Sequence, residues 1–289
     1  MTYSIVAYSS AEEAWGVGVA SKFLAVGALV SWARAGAGAV ATQSFCKVGF
    51  GPDGLAMMER GKSAQEALDA LLANDPQAAM RQVGVVDTRG GAAAHTGDAC
   101  FDWKGHRIGK GFTCQGNILT GGDTLDAMAE AFTSEGGELA DRLVAALIAG
   151  DTVGGDKRGK QGAAVVVVKA NAGYGGDTDR YLDLRVDDDP EPVQKLARLV
   201  GLHHLFFGAP KPEDQMPITE DIARELQHYM RVGGYSKAEP NGIWDDAAKQ
   251  DFWAMVGSEN LEERWNLERD TNVIDRLALK YLREQFGNG

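Results

Sequence analysis

The segment Ala163-Ala164-Val165-Val166-Val167-Val168 is apolar at every position. Side chains of an extended strand alternate between two faces, so such a run has apolar surface on both. Both faces then need cover, which places the strand inside a layered structure. The spacing predicts a strand over 163–169, with the alternating segment 180–186 as its partner. A second constraint lies at Trp15 to Ala20, where Gly16, Gly18 and Ala20 alternate with Val17 and Val19. Period two collects the small residues on one face, leaving room for a close neighbour.

Further elements follow from local signals. Ile5-Val6-Ala7 reads as a short apolar strand, and residues 35–44 as a glycine-alanine strand. Ser63-Ala64-Gln65-Glu66 is a capping box, continued by an apolar stripe through Ala67, Leu68, Leu71 and Leu72. Residues 82–87 and 92–95 read as a hairpin across Thr88-Arg89-Gly90-Gly91. Strands are expected over 106–116 and helices over 123–132 and 138–149. Another helix is expected to reach Phe206, with Asp189 as N-cap and Pro190 in its first turn. Strands and helix pairs thus alternate along the chain. That order predicts an α+β fold of four layers, an αββα sandwich, followed by a small all-α domain. The glycines, 37 in all, suit short strands and tight turns rather than a bundle.

The boundary is expected near Gly208-Ala209-Pro210-Lys211-Pro212, dividing the chain into residues 1–210 and 211–289. Beyond it, 10 basic and 16 acidic residues supply half of the net charge of -12. The acidic balance argues against nucleic acid and against an anionic membrane surface as partners. No apolar stretch approaches the roughly 20 residues of a membrane helix, and Met1-Thr2-Tyr3-Ser4 lacks a basic leader. Cys46, Cys100 and Cys114 are odd in number and widely spaced, so free thiols and a cytoplasmic location are expected. No metal-ligand spacing occurs, and neither a metal nor a cofactor is expected.

Several motifs fail on context. Gly154-Gly155-Asp156-Lys157-Arg158-Gly159-Lys160 matches most of a phosphate-binding loop. Gln161 replaces the magnesium-binding hydroxyl, however, and a strand rather than a helix follows. Gly36-Ala37-Gly38-Ala39 opens no helix and is read as a close-packed strand. Ser21 and Lys22 are neighbours on a strand and point to opposite faces, so they form no dyad. His203-His204 falls late in a helix and is read as a satisfied or solvent-facing pair.

One chemistry survives. A threonine at a free N-terminus carries its own base, the α-amine, whose ordinary pKa is roughly 7.7–8.0. A nearby ammonium keeps more of that amine neutral. Thr2 next to Met1, at the head of a strand, with Lys22 on a neighbouring strand, meets these requirements.

The segments Thr2-Tyr3-Ser4-Ile5-Val6-Ala7 and Gly18-Val19-Ala20-Ser21-Lys22-Phe23-Leu24-Ala25-Val26-Gly27 resemble the bacterial domain-of-unknown-function family 1028. Gln115-Gly116-Asn117, Gly155-Asp156-Lys157-Arg158-Gly159-Lys160-Gln161 and residues 181–188 strengthen the likeness, which covers about 2–206. The family is similar to N-terminal-nucleophile (Ntn) hydrolases. The resemblance implies their αββα sandwich, a nucleophile at Thr2 and an assisting lysine at Lys22. It implies fold and mechanism better than substrate. Asn117 is a candidate oxyanion donor. Ser4, Gln43, Cys46, His95, Gln115 and Arg158 are candidate pocket residues. Cys46 reads as an inert thiol rather than as a second nucleophile, and Arg158 as a structural partner of Asp156. The expected activity is an amidohydrolase acting on a small-molecule amide, and the mature chain is expected to start at Thr2 after loss of Met1. A non-catalytic binding or scaffold role is the alternative.

Residues 226–235 and 242–252 resemble peptidoglycan-binding modules, small three-helix units, with a likeness over about 218–257. Ile218, Ile222, Leu226 and Tyr229 form one helical stripe, and Trp244, Trp253 and Trp265 read as core rather than sugar platforms. The tail is expected to serve packing or assembly into a homo-oligomer. A peptidoglycan-related role led by the tail is a third reading.

Overall fold

The computed structural model describes residues Thr2 to Gly287. The chain divides into two compact units, up to Val200 and from Gly201 onward. Among the described residues no helix is long and apolar enough to cross a membrane.

The first unit is mixed α/β with two antiparallel sheets. In chain order it contains β1 (Thr2–Ser9), β2 (Ala14–Ser21), α1 (Gly27–Val30), β3 (Ser31–Arg34) and β4 (Gly38–Ser44). Helices α2 (Phe50–Glu59) and α3 (Ala64–Ala73) follow, then β5 (Arg81–Asp87), β6 (Ala92–Thr96), β7 (Gly105–Gly109) and β8 (Phe112–Asn117). The unit ends with α4 (Asp123–Ser134), α5 (Leu139–Thr152), β9 (Gly162–Val168), β10 (Arg180–Val186) and the first half of α6 (Pro192–Phe207). The six-stranded sheet has the order β10-β9-β2-β1-β8-β7 and the four-stranded sheet β3-β4-β5-β6.

The valine run behaves as its pattern requires. Every residue of β9 is buried. Ala163, Val165 and Val167 join a core shared with Leu143 and Leu147 of α5 and Leu196 of α6. Ala164, Val166 and Val168 face the opposite way, packing with Val17 and Val19 of β2, Ala39 and Ala41 of β4 and Val86 of β5. The outer face of the four-stranded sheet presents Val40, Val83 and Val85 to Phe50, Leu55 and Met58 of α2 and Leu68 and Leu71 of α3.

The small face of β2 admits a helix, not a ligand. A Cβ on Gly16 would stand 2.7 Å from Leu143 Cδ1, and one on Gly18 would stand 3.3 Å from Leu147 Cδ1. Two boundaries differ notably from expectation, and one short helix is unexpected. The strand expected over 35–44 starts at Gly38, because Gly36 (φ 72°) and Gly38 (φ 142°) turn the chain between β3 and β4. Helix α6 begins at Pro192, while Asp189 accepts from the backbone N–H of Glu191 at 2.9 Å, just before the helix. Helix α1, at four residues, is too short to show a period.

The second unit is helical: the end of α6, then α7 (Glu220–Val232), α8 (Asp246–Ser258) and α9 (Arg276–Phe286). It is not purely helical, because β11 (Gln215–Pro217) and β12 (Val273–Asp275) pair antiparallel. Leu226, Tyr229, Phe252 and Trp265 are buried in its core, with Trp244 and Trp253 packed against them. The tryptophans thus belong to the core, as expected, Trp265 buried within it and Trp244 and Trp253 partly buried against it.

Candidate functional site

Strand β1 runs through the six-stranded sheet between β2 and β8. Its odd residues Tyr3, Ile5 and Ala7 join the helix-side core, and Val6 joins the core between the sheets. Thr2 and Ser4 share the parity of Val6 and so turn toward the four-stranded sheet. Thr2 pairs with Asn117 across β8, and its hydroxyl lies 3.1 Å from that of Ser21, the last residue of β2.

At this end the layer between the sheets is polar. Thr113 Oγ1 donates to Gln115 Oε1 at 2.8 Å, and Gln115 Nε2 donates to Ser4 Oγ at 2.6 Å. Ser4 Oγ donates to Gln43 Oε1 at 2.7 Å, and Gln43 Nε2 donates to Gln82 Oε1 at 2.8 Å. Gln43 Nε2 also lies 3.4 Å from the carbonyl oxygen of Thr2. Asn117 Nδ2 donates to the same Gln82 Oε1 at 2.8 Å. Gln82 Nε2 in turn donates to Gly116 O at 2.7 Å and to Thr96 Oγ1 at 3.0 Å. Ser4, Gln43, Gln82, Gln115 and Asn117 are all buried.

Buried amides are tolerated because each finds partners, and bonds running in one direction polarise one another. The network is uncharged until it reaches His106, whose Nδ1 lies 2.9 Å from Thr96 Oγ1. Burial, then His95 and Arg107, hold that imidazole below its usual pKa. Room for the network comes from Gly84, where a Cβ would fall 2.2 Å from Gln115 Oε1.

Thr2 also borders a cleft of about 50 Å³, with Phe23, Val26, Leu29 and Val30 on one side and Gln43, Ser44 and Cys46 on the other. Cys46 Sγ donates to Thr42 O at 3.2 Å. Burial pushes its thiol pKa up, which keeps it protonated and weakens it as a nucleophile. Arg81 braces this segment: its Nη1 donates to Phe45 O at 2.5 Å and its Nε to Asp75 Oδ2 at 2.6 Å.

The structure brings together Thr2, Ser4, Gln43, Gln115, Asn117 and Cys46. It does not bring His95 or Arg158 to them. His95 pairs with Val83, on the face toward α3, and its Nε2 lies 3.0 Å from Ala78 O. Arg158 Nη2 pairs with Asp156 Oδ2 at 3.4 Å in the loop before β9. That loop also holds Lys22, whose backbone N–H donates to Asp156 Oδ2 at 2.7 Å and whose ammonium donates to Lys160 O at 3.2 Å. A side chain that does reach the Thr2 hydroxyl is Ser21. Gln82 and Thr113 carry no motif, and Ser21, though it lies in the segment 18–27, is not assigned to the site by sequence. Only the parity of residues along their strands points to them.

Among the described residues no group of three or more His, Cys, Asp or Glu side chains is placed to hold a metal ion. No curated protein matches the chain. The model for a "Putative peptidoglycan binding domain" matches residues 206–282. Anbu (ancestral beta-subunit) from Yersinia bercovieri aligns over 72% of this chain and 98% of its own, at 12% identity and a TM-score of 0.32. The crystal structure of protein SPO2555 from Silicibacter pomeroyi, described under the DUF1028 family model, is 30% identical. It covers 70% of this chain and 86% of its own at a TM-score of 0.64. The DUF1028 model itself matches residues 2–196. The chain thus belongs to the family of unknown function DUF1028.

Proposed function

We propose that the first unit is an N-terminal-nucleophile amidohydrolase in which Thr2 attacks a small amide, on a four-layer αββα sandwich of the Ntn type. The reading rests above all on the position of Thr2. It is the first residue of β1, beside Ser21, against a polar floor and at the edge of a cleft. In support of the sandwich, two antiparallel sheets share a core and each carries helices on its outer face.

In this mechanism the free amine of a mature Thr2 takes the hydroxyl proton through a water. The oxygen adds to the amide carbonyl and the C–N bond breaks. The proton passes to the leaving nitrogen, and water then hydrolyses the ester. Backbone amides, with Asn117 on the adjacent strand, stabilise the oxyanion. The Asn117 amide already donates to Gln82, so its part is to shape the floor as much as to donate. Lys22 contributes a positive charge from the neighbouring loop rather than a bond to Thr2. Met1, whose removal the mechanism requires, lies outside the described residues.

The test combines intact mass with a labelled electrophile and peptide mapping. A mature mass starting at Thr2 and label on Thr2 are expected. Retention of Met1, or labelling unchanged in Thr2→Ala, would discard the mechanism.

A further inference from the structure

We infer that the cleft beside Thr2 is an acyl pocket for a small, uncharged aliphatic group. This deepens the amidohydrolase reading and rests on it for the word acyl. It selects amides of short branched acids over those of acidic or aminoacyl compounds.

Three observations carry it. First, the residues lining the cleft are Thr2, Phe23, Val26, Leu29, Val30, Gln43, Ser44 and Cys46, and none is charged. The Gln43 amide already donates to Gln82 and accepts from Ser4. A substrate carboxylate or ammonium entering this cleft would lose water and meet no oppositely charged side chain among the lining residues, which is unfavourable. Second, the volume is about 50 Å³. One water needs about 10–15 Å³ on such a measure, so the space admits roughly four atoms or slightly more. An acetyl group underfills it, and a 3-methylbutanoyl group matches it. Third, the apolar surface continues outward. Phe23 is 48% exposed, and Phe45, next to the lining residues Ser44 and Cys46, meets the exposed Phe101 at 6.2 Å.

The pocket also suits the proposed chemistry. Once Thr2 Oγ has bonded to the carbonyl carbon and the amine has left with the proton, only the acyl group remains on the enzyme. It must stay bound while water arrives. A site walled by α1 and the end of β4 holds that group and leaves the other side open.

The experiment uses the full chain, with its N-terminus confirmed by mass, and p-nitrophenyl esters of acetate, 3-methylbutanoate, phenylacetate and succinate. Acylation of Thr2 is read by intact mass, and release of nitrophenolate by absorbance. The 3-methylbutanoyl ester is expected to react at least about tenfold faster than the acetyl ester, the scale set by added methylenes in an apolar pocket. The succinyl ester is expected to be slower still, and the phenylacetyl ester reports how far the outer apolar surface contributes. Leu29→Lys, on the partly exposed side of α1, is expected to reverse the order of the succinyl and 3-methylbutanoyl esters. A second arm measures binding of 3-methylbutanamide and succinamate to Thr2→Ala by ligand-observed NMR. Selective binding of 3-methylbutanamide without acylation of the native chain keeps the pocket and removes the nucleophile. Equal or preferred reaction with the succinyl ester, or no selective binding of 3-methylbutanamide in the second arm, overturns the pocket.

Discussion

The hydroxyl groups of Thr2 and Ser21 lie 3.1 Å apart at the buried start of β1. This pairing, rather than one between Thr2 and Lys22, is what the strand geometry produces. Ser21 ends β2 on the face that Thr2 shares, and Lys22 turns its ammonium to Lys160. Ser21→Ala removes one buried hydrogen bond, worth about 1 kcal/mol. If that bond aligns the proposed nucleophile, acylation of Thr2 slows about tenfold beside that modest loss of stability. Stopped-flow acylation and a urea titration of the same variant separate the two effects. An unchanged acylation rate would mean that Ser21 only fills space.

Gln82 is the junction of the polar floor. Its Oε1 accepts from Gln43 and from Asn117, the two amides that flank Thr2. Gln82→Leu keeps the volume but leaves both donors without that acceptor, at about 1–3 kcal/mol for each buried group. Gln43 has weaker alternatives at Thr2 O and Gln115 O, so a total loss of about 2–4 kcal/mol is expected by chemical denaturation. As a positioning residue, Gln82 should lower kcat for an ester substrate more than it raises KM. A stability loss with unchanged kinetics would make it structural only.

These residues show what the sequence discloses and what it hides. The valine run of β9 and the small face of β2 declared two covered faces and a close neighbour, because alternation is a local property. The capping box at Ser63 was legible for the same reason. Ser4, Gln43, Gln115 and Asn117 were reachable through family likeness and strand parity. Gln82 was not, since a glutamine at the head of a valine-rich strand has no local mark and its partners come from four separate segments. His95 and His106 illustrate the same limit. Both lie on short strands, but only His106 has the parity that turns it to Thr96. The β11–β12 pair is three residues per strand, too short for a period to emerge.

The two glycines of β2 should differ in tolerance. A Cβ on Gly16 meets Leu143 Cδ1 at 2.7 Å and the backbone oxygen of Val166 at 2.9 Å. The second neighbour is main chain and cannot step aside. A Cβ on Gly18 meets only side chains, Ile5 and Leu147, at 3.3 Å. Gly16→Ala is expected to cost about 1–3 kcal/mol, as overpacked cores do, and Gly18→Ala less. Parallel melting curves of the two variants test the ranking, and equal losses would contradict it.

Asp75 ties acid sensitivity to the cleft. The hydrogen bond from Arg81 holds its carboxyl below the usual range, and Arg81 also grips the carbonyl of Phe45. A depressed folded pKa means that stabilisation is present above the unfolded value of about 3.9 and is lost as pH falls through the lower folded value. Asp75→Asn is therefore expected to melt lower than the native chain at pH 6, with the gap closing below about pH 4. Melting temperatures across pH 3–7 check this, and a gap that widens in acid would show the wrong sign.

In the second unit, Arg264 and Asp275 form a buried ion pair, Nη1 to Oδ2 at 3.4 Å, with side chains 4% and 0% exposed. Arg264 Nε also donates to Leu205 O at 2.7 Å. Asp275 Oδ1 accepts from the backbone N–H groups of Leu277 and Ala278, capping α9. One aspartate thus closes three links: the arginine, the start of a helix and the β11–β12 pair in which it stands opposite Gln215. Asp275→Ala strands a buried guanidinium, at about 3–5 kcal/mol, and removes a cap worth about 1 kcal/mol. Such a loss should speed amide hydrogen exchange across residues 276–286 at least about a hundredfold. The double variant Arg264→Met with Asp275→Ala relieves the stranded charge and should recover most of the loss except the cap. If the double variant exchanges as fast as the single, the ion pair is not what holds the start of α9, and the cap alone carries it.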